Sequence, residues 1–219
     1  MDANNAKDGF RLVLASTSPR RRELLARLGH PFEAIDPGLD DADLASGTPD
    51  LAQWVASLSY LKAVAGARQI ITRGEHFHGL VIVGADTLVE VDGRVLSKAR
   101  SADEAAEMIR LVRGRAHDVL TGVTLLAPFS GRRDIFTDRV TVHVGTISDE
   151  MISAYTATDD WRGKSGAYNL DERLSAGWPM RVVGDPTTVT GLPIDRLRGR
   201  LARFVASLPG TTALREVPA

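Results

Sequence analysis

An α/β fold around a mixed β-sheet is what this sequence predicts, and three observations predict it. Residues 12–15, Leu-Val-Leu-Ala, read as a short buried strand running through a hydroxyl-rich turn into a helix start. Residues 80–85 form an uninterrupted apolar run, and 88–91 and 94–96 flank Asp92-Gly93, a hairpin signal. Between such strands lie segments of helical periodicity, the pattern of a sheet with helices packed on it.

In the first helix Ser18 is the expected N-cap and Pro19 the first helical residue. Leu24, Leu25 and Leu28 share one face, and Gly29 stops the helix. A helix N-terminus after a strand aims backbone N–H groups and a positive dipole end at one spot. Arg20, Arg21 and Arg22 oppose that dipole, so they suit either a bound polyanion or a solvated basic face, with at least one of Arg21 and Arg22 simply solvated. The Walker pattern G-x-x-x-x-G-K-[ST] does not occur.

Residues 32–35 are a short strand leading into the acidic loop of residues 36–43, most simply a solvated turn. Thr48-Pro49 opens a long helix with Leu51, Trp54, Val55, Leu58, Leu61 and Ala65 as the core face, and Lys62 beside it as a snorkelling cation. The apolar strand ends in Gly84-Ala85-Asp86-Thr87, which puts Asp86 where an α/β sheet opens its ligand crevice. Ser101 to Glu104 is a capping box for a helix that Gly114 stops, with Ala105, Met108, Ile109 and Val112 inward. Residues 117–126 are strand-like but broken at Thr121-Gly122, and 136–144 alternate as a half-solvated strand. A helix follows over 148–155, residues 159–179 are an irregular or functional loop, and 180–183 are a strand. Leu192-Pro193 opens the last helix, with Ile194, Leu197, Leu201, Phe204, Val205 and Leu208 as its core stripe.

The chain of 219 residues suffices for one sizeable core: a single domain over 10–208, with tails at 1–9 and 209–219. A net charge of −1 argues against nucleic-acid binding by a general basic field. No apolar run reaches membrane-spanning length, so no membrane partner is expected. Zero cysteines exclude disulfides, thiolate metal sites and a Cys nucleophile, and with no secretory signal a cytoplasmic location is expected.

Ser16-Thr17-Ser18-Pro19-Arg20-Arg21, Gly84-Ala85-Asp86-Thr87 and the lysine twelve residues later, Lys98, occur in that order. His117-Asp118-Val119 with Thr121-Gly122-Val123, then Ser165-Gly166-Ala167-Tyr168 and Gly191-Leu192-Pro193, complete the series. In this order and spacing the chain resembles the Maf family over residues 10–208. The resemblance implies an elongated α/β fold of two lobes around a nucleotide cleft, usually a homodimer. It implies hydrolysis of a nucleoside triphosphate to monophosphate and pyrophosphate with Mg2+ or Mn2+. Asp86 then matches the catalytic aspartate, Ser16 and Ser18 the triphosphate turn, Arg20 a phosphate- and specificity-contacting arginine, and Lys62 and Lys98 phosphate-binding lysines. Thr87 matches a specificity position, and Asp86 and Asp41 are the expected metal ligands.

That chemistry agrees with the residue types. A triphosphate calls for Arg, Lys and backbone donors, and in-line attack by water for a carboxylate. Three positions depart from the family pattern: Asp40-Asp41 replaces Asp-Glu, Ser97-Lys98-Ala99 replaces Gly-Lys-Pro, and Asp171 replaces the glutamine of Tyr-x-x-Gln. Arg20 and Thr87 follow the branch that prefers dTTP and UTP, whereas an acidic Asp171 follows the branch acting on 7-methylguanosine triphosphate. At this stage Asp171 either reads the base or pairs with Arg173 and reads nothing. A nucleotide-binding regulator of cell division, as in the family's label of septum formation inhibitor, is the alternative to the enzyme.

Overall fold

The computed structural model describes residues 9–39 and 50–209. Asp40, Asp41 and the expected Thr48-Pro49 helix start lie outside the described residues. In chain order the elements are β1 (Arg11–Ala15), α1 (Pro19–Ala26), β2 (Phe32–Ile35), α2 (Leu51–Thr72), β3 (Leu80–Val91), β4 (Arg94–Leu96) and α3 (Ala102–Val112). They continue with β5 (Ala116–Ala127), β6 (Arg132–Val144), α4 (Asp149–Thr156), α5 (Leu170–Ser175), β7 (Met180–Val183), α6 (Pro186–Thr190) and α7 (Ile194–Ala206).

The strands form one mixed sheet of order β2-β1-β3-β5-β6-β7, with β4 added to β3. β1 runs parallel to both β2 and β3, and the remaining pairs are antiparallel. β3, β5 and β6 are long enough to pass through two hydrophobic regions. One half of the sheet carries Val81, Val83, Val123 and Leu125 against α1 and α7, and Val13, Ile82 and Ile35 against α2. The other half carries Val89, Val119, Val140 and Val142 against α3, α4 and the segment around Trp161 and Tyr168. This is the expected two-lobed α/β arrangement. The polar residues Asp86, Thr87, Thr121 and Asp138 occupy the strands where one core gives way to the other.

Several elements differ from the sequence expectation. β3 does not end at Ala85 but continues to Val91, so Asp86 stands mid-strand. β5 is unbroken through Thr121-Gly122. Its glycine serves packing: a Cβ at Gly122 would lie 2.4 Å from the Val55 carbonyl oxygen, and one at Gly84 would lie 2.1 Å from that of Ser59. The backbone of α2 therefore rests directly on β3 and β5, and that contact resets the helix face. Val55, Leu58, Ser59, Lys62, Ala63, Gly66, Ala67 and Ile70 are buried, while the expected core residue Leu61 is 41% exposed.

The caps follow the side chains available. Ser18 caps α1, its Oγ accepting from the Arg21 amide, with Pro19 at the first helical position. Asp50 caps α2 by accepting from Ala52 N and Gln53 N. At α3 Ser101 accepts from Glu104 N, but the Glu104 carboxylate turns to the amide and guanidinium of Arg100, so the reciprocal half of the capping box is displaced by one residue. The unassigned stretch 159–179 contains α5 and a buried turn at Ser165-Gly166-Ala167.

Candidate active site

β1 pairs with β3 only as far as Ala15 opposite Gly84, and β4 pairs with the same edge of β3 from Val89 onward. Residues 85–88 have no strand partner on that edge among the described residues, while β5 covers the other edge throughout. The sheet thus has an open slot, bounded by the turn after β1 on one side and by the end of β4 on the other. Ser16, Ser18 and Arg20 line the first boundary. Lys98 lies just past the second, where it bridges to Ser165. Asp86 and Thr87 stand in the slot itself and, being consecutive strand residues, point to opposite faces.

On the α2 face, the Lys62 ammonium donates to Asp86 Oδ1. Both are buried, at 8% and 5% exposure. The surface-snorkel expectation for Lys62 is overturned, because Gly84 and Gly122 seat α2 so closely that its side chain reaches the strand. Gly122 is the cross-strand partner of Asp86, so the carboxylate has no competing side chain opposite it.

On the other face, Arg21 is built into the fold. Its Nε donates to the Gly191 carbonyl at 2.9 Å, Nη2 to Thr87 Oγ1 at 3.1 Å and Nη1 to Ser16 Oγ at 3.5 Å. A Cβ at residue 191 would lie 3.1 Å from the Arg21 guanidinium and 3.3 Å from the Thr87 hydroxyl, and this residue has φ +110°. Both facts call for glycine at the start of Gly-Leu-Pro. Arg22 is exposed and is the solvated arginine of the run. Arg20 is half-buried and lies near enough to Tyr155 to act on its hydroxyl electrostatically.

Ser165-Gly166-Ala167 is the strained element of the site. Ala167 adopts φ +62°, a left-handed conformation costly for a residue with a Cβ. Four contacts hold it: Ser165 Oγ donates to the Thr87 carbonyl, Gly166 N to Ser97 O, Ala167 N to Lys164 O and Tyr155 Oη to Ala167 O. This turn fastens the slot's far wall to β3. Burial pushes the Tyr155 hydroxyl pKa up, partly offset by Arg173. Behind the turn, Lys164 is buried and paired with Glu172, and Tyr168 Oη meets His117 Nε2 at 2.7 Å.

Asp171 is exposed on the first turn of α5. It does not pair with Arg173, which instead stacks over the Tyr155 and Trp178 rings and lies 3.7 Å from Asp160. Asp41 lies outside the described residues. Among the described residues no group of three or more His, Asp or Glu side chains is placed to hold a metal. A single carboxylate among cationic side chains fits a divalent ion only if the rest of its ligands come from a bound anion and water. A shallow groove between α3 and α4, about 530 Å³ and lined by Asp103, Glu107, Arg110 and Ser153, contains none of these residues.

Sequence reasoning missed Arg21, Thr121, Lys164 and Ser165. Ser165 opens the Ser-Gly-Ala-Tyr motif with Lys164 directly before it, and Arg21 is the second arginine of Ser-Pro-Arg-Arg. Thr121 lies in the 117–123 motif, but nothing local marks its hydroxyl as the partner of Thr87.

A mixed α/β sheet is opened between β1 and β4, with a helix N-terminus, arginines, lysines and a buried carboxylate around the opening, a charge arrangement suited to a polyanion. Residues 11–204 match the family model described as Maf-like protein, and the chain belongs to that family. It is 36% identical over 193 residues to the dTTP/UTP pyrophosphatase of Pelotomaculum thermopropionicum, covering 88% of this chain and 96% of that protein. It is 39% identical over 197 residues to the dTTP/UTP pyrophosphatase of Moorella thermoacetica, covering 89% and 95%, and 38% identical over 195 residues to that of Brucella abortus, covering 88% and 90%. No helix among the described residues is long and apolar enough to cross a membrane.

Proposed function

We propose that this protein is a nucleoside triphosphate pyrophosphatase of the dTTP/UTP type, and that the slot between β1 and β4 is its active site. The observation that carries the assignment is the convergence on that slot of Ser16, Ser18, Arg20, Lys62, Asp86 and Lys98, in a chain whose relatives are named for this activity. The turn after β1 offers backbone donors and the Arg20 fork to phosphate oxygens. Lys98, exposed at the opposite wall, supplies a second positive charge. Water adds across the α–β phosphoanhydride: the new P–O bond forms at one phosphorus, the bridging oxygen leaves with the other fragment, and the water proton passes to the Asp86 carboxylate. Lys62 holds that carboxylate in one orientation.

The reading includes a Mg2+ or Mn2+ ion held by Asp86, with Asp41 as second carboxylate, whose chemistry is to neutralise charge on the phosphates. It also includes a cytoplasmic homodimer, on the family pattern. The direct test is a panel of ordinary and modified nucleoside triphosphates with magnesium, scored for released pyrophosphate. Pyrophosphate with the monophosphate, fastest from UTP and dTTP, supports the assignment. Orthophosphate alone, or no turnover of any member, refutes it.

A further inference from the structure

The hydroxyl of Thr87 is fixed by residues behind it, and the direction of its hydrogen bonds follows from the partners. Thr121 Oγ1 lies 2.7 Å from the Thr188 carbonyl oxygen, which can only accept, so the Thr121 proton is committed there. The 2.9 Å contact between Thr121 Oγ1 and Thr87 Oγ1 must then run from Thr87 to Thr121. Arg21 Nη2 can only donate, so its contact with Thr87 Oγ1 occupies one of that oxygen's two lone pairs. Thr87 is left with no proton and one acceptor position. Thr121 and Thr188 are fully buried, and the Thr188 hydroxyl is anchored on Asp138, itself held by Arg196, so the relay has a rigid end.

We propose that Thr121 and Arg21 are positioning residues that set nucleobase specificity by holding the Thr87 hydroxyl as a pure acceptor. This rests on the pyrophosphatase reading above and deepens it. An acceptor-only hydroxyl cannot bond an ionised phosphate oxygen, which also only accepts, so Thr87 serves the base side of the slot. In a site for UTP and dTTP the group it takes is the ring N–H at N3, the one donor those bases have; the amino donor of cytosine lies one atom away. Uracil and thymine both present it, whereas cytosine presents a lone pair there, and two facing lone pairs repel. The same relay thus accepts UTP and dTTP and rejects CTP, without requiring any residue to change its protonation.

The test is kcat/KM for pyrophosphate release from UTP, dTTP and CTP in wild type, Thr121→Val and Thr121→Ser, with melting temperature as the folding check. Thr121→Val frees the Thr87 proton, and the UTP-to-CTP ratio falls about tenfold, the value of one hydrogen bond. Thr121→Ser keeps the hydroxyl and keeps the ratio within about twofold of wild type. A purely structural Thr121 would lower all three substrates together, and an unchanged ratio in folded Thr121→Val overturns the inference. Should Thr121→Val fail to fold, wild type is assayed with N3-methyl-UTP. Turnover at least about tenfold below that of UTP agrees with the inference, and turnover equal to UTP overturns it. Equal wild-type kcat/KM for UTP and CTP also overturns it while leaving the pyrophosphatase reading standing. Absence of pyrophosphate from UTP in wild type overturns both.

Discussion

His117 makes the stability of this fold pH-dependent in a way that reaches the wall of the candidate site. The ring is 3% exposed, meets Tyr168 Oη through Nε2, and has Nδ1 buried with no hydrogen-bond partner. An imidazolium donates from both nitrogens, and Nδ1 has no acceptor to meet. Burial lowers the His117 pKa from 6.5 to about 4, with Asp118 pulling it up and His143 pushing it down. Because the folded value lies below the unfolded one, the unfolded chain binds the extra proton between pH 6.5 and 4. The contribution is fully present above pH 6.5 and is lost as pH falls through that window. The whole shift corresponds to about 3 kcal/mol, of which about 2 kcal/mol is lost by pH 5. The assay is urea unfolding at pH 7 and pH 5 on wild type and His117→Phe, comparing the change between the two pH values rather than the absolute stabilities. Wild type loses about 2 kcal/mol more than His117→Phe over this interval. A difference below about 0.5 kcal/mol, or an NMR titration placing His117 near its ordinary value, would refute the reasoning.

The other predictions concern turnover. Asp86→Asn keeps the shape and removes the basic carboxylate, so pyrophosphate release should fall about a hundredfold or more; a wild-type rate would remove Asp86 from the chemistry. Arg20→Lys should fail to restore what Arg20→Ala loses, because a point charge does not reproduce the guanidinium fork. Arg22→Ala is its solvated control, and equal losses at both in steady-state kinetics would indicate a diffuse basic patch. Asp171→Gln should move preference toward UTP and dTTP by about 1–3 kcal/mol in relative kcat/KM if the exposed first turn of α5 reaches the base, and an unchanged ranking would exclude that contact.

The parts of this fold that were legible in sequence are those governed by local chemistry. Ser18-Pro19, Asp92-Gly93 and the apolar 80–85 run each act through backbone geometry or burial within a few residues, and the structure realises all three. The candidate site residues were reached through motif order, and the slot beside which they lie could not be read in that way. It exists because β1 stops at Ala15 while β3 runs on to Val91, a difference in length between strands far apart in the chain. Thr121-Gly122 shows the same limit from the other direction. Read locally, Thr-Gly interrupts a strand. Read in the sheet, glycine is the residue that lets α2 lie against β5 opposite Asp86, and threonine fixes the proton of Thr87 on the other face. A dipeptide that looks like a break is therefore where the strand serves both walls of the site, since alternate residues of one strand belong to opposite faces. Lys62 follows from that packing. A lysine at the edge of a helical stripe is ordinarily a surface residue, and only the approach of α2 allowed by the two glycines turns it inward onto a buried carboxylate.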